Sequence, residues 1–564
     1  MVMSCRSVLS AVVGLAASVS LAGPVRLGTS FFLPAGLTNP VVLDARVNDN
    51  DFLVTATEAD VIGGGKRIVI TQFKYGSRAW SSTINTPVSV AATGQTAGKF
   101  QILPDGASNT YVLSPRAGNP DFPSTTEDLI LRQLNYRGTT GSYLSIVRYL
   151  AEQTGKELNV SNGRMLLTKR NSTDTVLAVT AVDPEGFSSI YLLYLDGPNV
   201  VGLASLPGSY SDDDAAGRLI VSNTLFGLTP SGTPEDPRLR LAVKQEVSFF
   251  SYGDSSLNYD RTSLLSHEVS TDADTYSISL GDPTSTVLAD RMGFQAEGLG
   301  SSEDQELVLS RDASNNGHAS RRASSFENVV LARMSSVPYT ATRVGGNWLV
   351  YGQSTTGAGE FILKYPAFGA LTATSFTISD AASAPYYAGS SFASSRGRAY
   401  LAGGPTVNGF QGIYSSFSDL GELVYSAGVK QPLTLSTSFV VPTTDNRFWT
   451  VGTTSTGLQA VIQWQEPEYF VGISARSSAR RGDTVTVKAH LNSPAPTGGY
   501  TFNVSVSSNL QDAPRTVTVP AGDSTASFTV KVKNTATVGS ATVVARTNAT
   551  HDINTAHTAT FTIQ

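Results

Sequence analysis

The strongest constraint on the fold is a hairpin pattern that recurs along most of the chain. Residues 347–365 read NWLVYGQSTTGAGEFILKY, and a similar stretch, RFWTVGTTSTGLQAVIQW, follows at 447–464. Each stretch has an apolar run, a loop of small and polar residues, and a second apolar run, which is the pattern of a β-hairpin. Trp348 and Trp449 hold corresponding positions, so the two stretches are repeats rather than segments that merely share a composition.

Six further stretches follow the same pattern, and their first strands are spaced by 50 to 67 residues. The eight anchor residues are Val54, Val112, Leu167, Val221, Leu288, Val350, Leu401 and Val451. A unit of this size holds the hairpin and two more strands, as does a four-stranded blade of a β-propeller. The fifth copy, 284–312, is the weakest, so the sequence predicts eight blades, or seven if that copy is an insertion. A β-solenoid and a string of separate β-sandwiches are the alternatives.

The segments between the hairpins are expected to supply the other strands. Residues 76–87 and 415–428 each contain a turn with glycine and an apolar strand, and they resemble the strand pairs of exported bacterial propeller repeats. The stretch VVLDARV, residues 41–47, precedes the first hairpin, and we expect it to close the ring. The predicted propeller spans residues 23–466.

The pattern changes after Glu466-Pro467-Glu468, which we interpret as a linker. Residues 467–564 show clean alternation of apolar and polar residues in short strands about ten residues apart, which is typical of an antiparallel β-sandwich. The phrases RRGDTVTVKAHLNSPAPTGGYTFNVSVSS and VPAGDSTASFTVKV resemble the bacterial immunoglobulin-like modules of secreted and surface proteins. The resemblance implies a spacer or adhesive stalk and provides no catalytic residue. The tripeptide Arg481-Gly482-Asp483 is interpreted as a structural turn and not as an integrin ligand.

The N-terminus predicts export. Residues 1–22 have one positive charge, an apolar run rich in alanine and serine, and small residues before Gly23, which is the pattern of a secretory signal peptide cleaved after Ala22. The run is shorter than the roughly 20 residues of a membrane-spanning helix. The single cysteine, Cys5, would be removed with the signal, so the mature chain would contain neither disulfides nor thiolate metal sites. An exported chain without cysteine suggests a secreted or surface-located bacterial protein.

The charge balance argues against a nucleic acid as partner. Removal of Arg6 with the signal leaves 39 basic and 45 acidic residues, so the formal net charge is 39 − 45 = −6, which is mild and dispersed. Proteins that bind nucleic acid usually carry a clustered positive charge instead. An extracellular glycan or a protein remains as the expected class of ligand, without a transmembrane span, and the sequence does not define the oligomeric state.

No catalytic motif is recognisable. The repeated boxes of sialidase propellers, S-x-D-x-G-x-x-W, are not intact, and neither a G-x-S-x-G elbow nor a zinc spacing is present. We therefore predict no catalytic residues, no metal site and no cofactor. Calcium is a weaker alternative, since it prefers clustered oxygen ligands; the acidic turns at 48–51, 212–214 and 272–274 are the places where it could bind.

The most irregular segment, residues 296–328, is expected to be a surface loop inserted into the propeller. It contains Arg311, His318, Arg321 and Arg322 among small residues. Loops on rigid scaffolds often carry function, so these four residues are the candidate binding residues for an anionic ligand or partner.

The leading hypothesis is a secreted or surface-located, non-catalytic binding, adhesion or matrix protein, with the propeller as ligand scaffold and the immunoglobulin-like module as spacer. The alternative is an extracellular carbohydrate-active hydrolase or lyase with its site at the central funnel, favoured by carboxylates clustered with aromatics. A structural envelope protein is the third hypothesis, favoured if the propeller has no concave pocket.

Overall fold

The computed structural model is an all-β protein with many small curled sheets. Up to residue 287 it describes 25–86, 90, 100–105, 109–119, 121–167, 174–213, 217–232, 237–272 and 274–287. Between 299 and 465 it describes the strands given below together with residues 443 and 456–458. After residue 465 it describes 470–491, 494–495, 498–547 and 556–564. The described residues form 43 strands, one α-helix and one short 3-10 helix. The predicted all-β class is confirmed.

Residues 28–463 form one compact unit, and its strands belong to eight antiparallel sheets, numbered here along the chain. Sheet 1 contains β2 (Leu37–Val47), β3 (Leu53–Val61), β4 (Lys66–Lys74) and β5 (Ser77–Thr86), and sheet 2 contains β6 (Gln101–Asp105), β7 (Asn109–Asn119), β8 (Phe122–Leu134) and β9 (Thr140–Ser145). Sheet 3 contains β10 (Asn159–Leu167), β11 (Asp174–Val182), β12 (Ser188–Asp196) and β13 (Asn199–Leu206). Sheet 4 contains β14 (Ser209–Asp213), β15 (Gly217–Gly232), β16 (Pro237–Ser251), β17 (Tyr259–Asp272), β18 (Ser277–Leu280) and β19 (Thr284–Val287). The helix α1 (Ile146–Thr154) lies between sheets 2 and 3, and the 3-10 helix η1 (Ser255–Leu257) lies between β16 and β17.

The other four sheets continue in the same order. Sheet 5 contains β20 (Leu299–Ser302), β21 (Gln305–Arg311), β22 (Gly317–Arg322) and β23 (Phe326–Val330), and sheet 6 contains β24 (Thr340–Val344), β25 (Asn347–Gln353), β26 (Glu360–Pro366) and β27 (Thr374–Thr377). Sheet 7 contains β28 (Phe392–Ser395), β29 (Arg398–Val407), β30 (Phe410–Ser418) and β31 (Leu423–Lys430). Sheet 8 contains β32 (Leu435–Pro442), β33 (Arg447–Thr454) and β34 (Gln459–Gln465), and its fourth strand is β1 (Val25–Phe32).

The sheets follow one another in a closed series of contacts. One strand of each sheet contacts its counterpart in the next, in the order β2, β6, β10, β15, β20, β24, β28 and β32, and β32 contacts β2 in turn. Side chains bind neighbouring sheets together: Gln101 pairs with the backbone N–H and C=O of Met165, at 2.8 and 2.9 Å, and Gln459 Nε2 donates to Thr55 Oγ1 at 2.8 Å. These eight strands therefore form a closed ring.

Apolar cores fill the spaces between sheets 8 and 1, 1 and 2, 2 and 3, and 3 and 4, because the second and third strands of these sheets are apolar on both faces. Leu53 and Phe73 of sheet 1 pack with Trp449 and Val451 of sheet 8. Trp348 and Trp449 are both fully buried on the second strands of their sheets, which confirms their equivalence as packing residues.

Several predicted segment assignments are wrong in detail. The ring is closed by β1, which pairs with β34, while residues 41–47 lie in β2 of sheet 1. Leu167 lies on the first strand of sheet 3 rather than on its second. The predicted fifth hairpin, 284–312, instead includes β19 of sheet 4 and β20 and β21 of sheet 5; Leu288 lies outside the described residues. The segment 296–328, predicted as an inserted loop, contains β20 to β22, because the polar sequence still alternates enough to pair.

Residues 464–564 belong to a second compact unit with two sheets. Its strands are β35 (Phe470–Ala475), β36 (Ser478–Ala479), β37 (Thr484–Leu491), β38 (Tyr500–Val506), β39 (Leu510–Gln511), β40 (Thr516–Val519), β41 (Thr525–Val532), β42 (Gly539–Thr547) and β43 (Ala556–Ile563). β37 alternates strictly between exposed and buried residues. Val487 and Val530 of one sheet and Phe502 and Val543 of the other share a single core, so the sheets pack face to face.

The tripeptide at 481–483 is held within this second unit. Gly482 has a φ of +82°, which favours glycine. Arg481 Nε donates to the carbonyl of Ala536 at 2.7 Å, and Asp483 Oδ2 accepts from Arg476 Nη2 at 2.8 Å. Both charged side chains are thus engaged by the unit's own residues, as a structural turn requires.

Candidate functional site

Each four-stranded sheet has one edge where its second strand ends, its third begins and the connection to the next sheet leaves. We call this the upper edge. In sheet 2 the connection at this edge is the helix α1. Its first residues follow directly from β9, so the helix and the upper ends of β7 to β9 lie together.

The helix begins and ends where the local chemistry dictates. Ser145 is its N-cap: Ser145 Oγ accepts from the N–H of Arg148 at 3.2 Å. Gly155 ends it with a φ of +70°, in the left-handed conformation that glycine adopts readily. Ile146, Val147 and Leu150 are buried in the core between sheets 2 and 3, so the remaining face of α1 can present polar side chains.

A polar stripe crosses β7, β8 and β9 on one face of sheet 2. Arg116 is paired directly with Asp128, and Arg132 with Tyr143. Directly paired residues share a face, and so do residues two apart on a strand. Arg116, Asp128, Arg132 and Tyr143 therefore lie on the same face. Further along that face the stripe gives way to Val112, which packs into the core with sheet 1.

A shallow pocket of about 250 Å³ opens where this stripe meets the helix. Its lining combines two arginines, two tyrosines and two carboxylates with the helix cap: Arg116, Asp121, Tyr143, Leu144, Ser145, Arg148, Tyr149 and Glu152. Tyr143 is 66% exposed at the rim, whereas Tyr149 is half-buried.

The two arginines of the pocket differ in their partners. Arg148 lies 3.5 Å from Asp121 and 3.2 Å from Glu152, so its charge is shared by two carboxylates. Within the described part of the chain, the guanidinium of Arg116 forms no hydrogen bond or ion pair. Arg116 therefore has donors available for a ligand.

Asp128 lies beneath the pocket and is 1% exposed. Its carboxyl accepts from Ser145 Oγ at 2.8 Å and from the N–H of Val147 at 3.0 Å, so it ties the start of α1 to β8. Burial raises the pKa of Asp128 above its ordinary value, although these hydrogen bonds and the charge of Arg116 oppose the rise. Burial likewise lowers the pKa of Arg132 and raises that of Tyr149.

Sequence reasoning did not identify this pocket. Its members come from three strands and a helix, and only the register brings them together. Two local signals were present, however: a serine N-cap at Ser145 and a glycine at 155, on either side of a nine-residue amphipathic segment.

The four residues that the sequence did single out lie in sheet 5. Arg311 lies on β21 opposite Gly317, while His318, Arg321 and Arg322 lie on β22 opposite Ser310, Leu307 and Glu306. They are brought onto two paired strands, away from sheet 2 along the chain. Their role in binding an anion stays a prediction.

In two of the three acidic turns considered for calcium, side-chain oxygens accept from backbone amides, and the side chains of 212–214 lie outside the described residues. Asn48 Oδ1 accepts from the N–H groups of Asn50 and Phe52, both at 3.0 Å, and Asp272 Oδ1 accepts from that of Asp274 at 2.9 Å. Among the described residues, no three His, Cys, Asp or Glu side chains lie close enough to share a metal. No helix in the part of the chain that the structure covers is long and apolar enough to cross a membrane. The predicted signal peptide, residues 1–22, and the predicted linker at 466–468 lie outside the described residues.

Comparisons with known proteins identify no family. No protein-family model and no curated protein matches the chain. Among solved structures, it is similar to an ulvan lyase from a family of polysaccharide lyases, at 9% identity and a TM-score of 0.40, over 78% of this chain and 95% of that one. It is also similar to AofleA from Arthrobotrys oligospora (12% identity, TM-score 0.28, 63% and 90%) and to a Trypanosoma rangeli sialidase variant with trans-sialidase activity (9%, 0.29, 70% and 83%). At these scores the likenesses carry no conclusion about chemistry.

Proposed function

We propose that this chain is a secreted or surface-located binding protein, in which an eight-bladed β-propeller presents a ligand pocket at its upper edge and an immunoglobulin-like sandwich serves as spacer. The closed ring of contacts among eight meander sheets supports the propeller, since only a radial arrangement gives every sheet two neighbours. Two alternating sheets around one core support the sandwich. The N-terminal signal pattern supports export.

The single observation that carries the binding function is the guanidinium of Arg116 in the pocket of sheet 2, which forms no hydrogen bond or ion pair with the residues that the structure describes. A guanidinium presents a planar fork of donors that matches the two oxygens of a carboxylate or the oxygens of a sulfate. Tyr143 and Tyr149 add aromatic surface and hydroxyl groups beside it. Positive charge beside aromatic surface suits an acidic sugar, so the proposed ligand is a glycan that bears carboxylate or sulfate groups.

The state of the ionisable groups favours binding over catalysis. A tyrosine acts as a base only when its pKa falls toward the working pH, but burial raises the pKa of Tyr149. Asp128 is buried and bonded to the start of α1, out of contact with solvent. Tyr149 is therefore expected to donate hydrogen bonds, and Asp128 to hold the helix.

A hydrolase is the second candidate function, because Asp121 and Glu152 place two carboxylates in one pocket. Glycosidases use such a pair as acid and base or nucleophile. Both carboxylates are ion-paired with the same guanidinium, that of Arg148, at 3.5 and 3.2 Å. Product release from acidic polysaccharides, abolished by both D121N and E152Q, would establish this alternative.

The binding function is tested with the full-length mature chain on an array of neutral, uronate-containing and sulfated oligosaccharides, followed by calorimetry on the strongest hits. We expect preference for acidic members and at least a tenfold loss of affinity in Arg116→Ala. Arg137→Ala is the matched control, because Arg137 lies 5.0 Å from the ring of Tyr136 at the opposite edge of the same sheet. An equal loss of affinity in Arg116→Ala and Arg137→Ala, or no preference of the wild type for acidic sugars, would contradict the proposal.

A further inference from the structure

The outer edge of sheet 4 is interrupted. Counted from β15, the strand that contacts the neighbouring sheets in the ring, β16 and β17 are the second and third strands. The place of a fourth strand is shared by β18 and β19, which have four residues each: β18 pairs with residues 269–272 of β17, and β19 pairs with residues 263–266. Between them, His267 and Glu268 of β17 lie opposite the connection at 281–283. His267 is therefore placed at the gap in this edge.

The ring of His267 joins β17 to that connection. Nδ1 of His267 lies 3.0 Å from the carbonyl oxygen of Gly281, and the N–H of Gly281 donates to the carbonyl of Glu268 at 2.9 Å. A carbonyl oxygen only accepts, so Nδ1 carries the hydrogen and donates it. Residues 281–283 are exposed. The bond from the ring and the adjacent backbone bond therefore hold the gap closed.

The rest of the ring has apolar surroundings. His267 is 4% exposed, pairs directly with Leu241, and shares a face of β17 with Leu265 and Val269. These three apolar residues belong to the core between sheets 3 and 4. Nε2 of His267 is buried, and no residue that the structure describes forms a hydrogen bond with it. A neutral ring places only a lone pair in this core, whereas a protonated ring would bring an N–H group and a positive charge into it.

Burial dominates the proton affinity of this ring. It lowers the pKa of His267 below its ordinary value, although the hydrogen bond to Gly281 and the charge of Asp282 in the connection oppose the change. Arg240 and Glu268 pair with each other one residue along from His267, so they lie on the opposite face of sheet 4.

Sheet 3 brings one ionisable residue into the same core, Tyr194, whose hydroxyl donates to Asp174 at 3.1 Å. Burial raises the pKa of Tyr194 to about 12, so this residue stays neutral in the range in which histidine titrates. Protonation of His267 would therefore add a charge to a core that has no other charge change near pH 6.

We propose that His267 is an acid-sensitive latch on the edge of sheet 4. At neutral pH the uncharged ring holds the connection at 281–283. Protonation of Nε2 releases β18 and β19, because the charged ring reaches water only when these two short edge strands open. Opening exposes Ile278 and Leu280, which pack in the core with sheet 3. The latch is independent of the Arg116 pocket, which belongs to sheet 2.

The direction of the pH dependence follows from the lowered pKa. The closed state binds the proton of His267 less tightly than the open state, in which the ring has its ordinary pKa of about 6.5. Opening is therefore favoured as the pH falls below that value. The opening equilibrium should change by about tenfold for each pH unit until the lowered pKa of the closed state is reached.

Amide hydrogen exchange of the chain expressed from Gly23 onward, at pH 7.5 and pH 5.5, tests the latch. After correction for the intrinsic dependence of exchange on pH, protection at 277–280 and 284–287 is expected to fall about tenfold at the lower pH. His267→Asn keeps a side-chain N–H for the Gly281 carbonyl but does not titrate, so its protection should change less than twofold between the two pH values. Protection in wild type that changes less than threefold, or an equal pH dependence in His267→Asn, would overturn the proposal.

The matched control is His490→Asn in the second unit, where Nε2 of His490 lies 2.9 Å from Ser474 Oγ. This variant is expected to keep the pH dependence of wild type at 277–287, and loss of that dependence would assign the effect to a different histidine. A second measurement decides the matter if His267→Asn is already open at pH 7.5. In an NMR titration of the wild-type histidine rings, His267 should gain its proton below about pH 6.5, and a titration at or above that value would refute the latch.

Discussion

Ser145 connects the fold of sheet 2 to its pocket through one hydroxyl group. Its Oγ accepts from the N–H of Arg148 and donates to the buried carboxyl of Asp128, at 3.2 and 2.8 Å. Ser145→Ala removes both bonds without changing the apolar contacts of α1. We expect this substitution to loosen the helix and, with it, the pocket wall formed by Arg148 and Tyr149.

The expected magnitude follows from the two bonds. Loss of a serine N-cap costs about 1 kcal/mol, and leaving the buried carboxyl of Asp128 without the hydrogen bond from Ser145 costs about 1–3 kcal/mol. Because one atom makes both bonds, their sum is about 2–4 kcal/mol. A helix of nine residues is unstable alone, so most of this loss should appear as local opening of α1.

Amide hydrogen exchange measures that opening directly. A loss of about 2–4 kcal/mol corresponds to about 30- to 700-fold faster exchange in residues 150–154, at 1.4 kcal/mol per tenfold change. Ser145→Thr keeps the hydroxyl and should remain within a few-fold of wild type. Ser81→Ala, on an exposed position of β5, is the control for a lost serine. Acceleration below threefold in Ser145→Ala would refute the account of the cap and of Asp128.

Three further predictions concern the ring and its buried groups. In a chain expressed from Gly23 onward, which contains no other cysteine, Thr55→Cys/Gln459→Cys should be cross-linked within one molecule by oxidation or a short bis-thiol reagent, since these side chains meet across the ring closure; a peptide map without that link would contradict closure. Trp449→Ala should cost about 3–5 kcal/mol in urea unfolding, and Trp449→Phe less, because Trp449 fills the core between sheets 8 and 1. Because burial raises the pKa of Asp128 in the folded state, the folded chain binds its proton more tightly than the unfolded chain, and stability falls as pH rises from the ordinary carboxyl pKa to the raised one. Asp128→Asn should therefore gain stability relative to wild type over that rise, and urea midpoints at pH 3 and pH 7 that shift the other way would contradict it.

The sequence predicted the parts of the ring that are buried on both faces. β3 and β33 are apolar on both faces because a sheet lies on each side of them, and such strands are conspicuous in the sequence. The other strands give weaker signals in the sequence, since β13 has no fully buried residue and β14 has the polar sequence SYSDD.

The pocket could not be predicted because it depends on register. Arg116 and Asp128 are 12 positions apart in the sequence, and only the pairing of β7 with β8 makes them neighbours. A shift of one residue would move Asp128 to the opposite face, toward the core shared with sheet 3. Sequence patterns constrain which faces are apolar more tightly than which polar residues meet across a strand pair.

The buried carboxyl of Asp128 links the fold to the proposed binding chemistry. It lies directly opposite Arg116, and these two charges would neutralise each other if both groups were ionised at close range. Burial raises the pKa of Asp128, which favours its neutral form, and the hydrogen bond from Ser145 together with the Val147 N–H directs its oxygens toward the start of α1. Among the residues that the structure describes, Arg148 shares its charge between Asp121 and Glu152 whereas Arg116 forms no ion pair, and our proposal of an acidic ligand rests on this asymmetry.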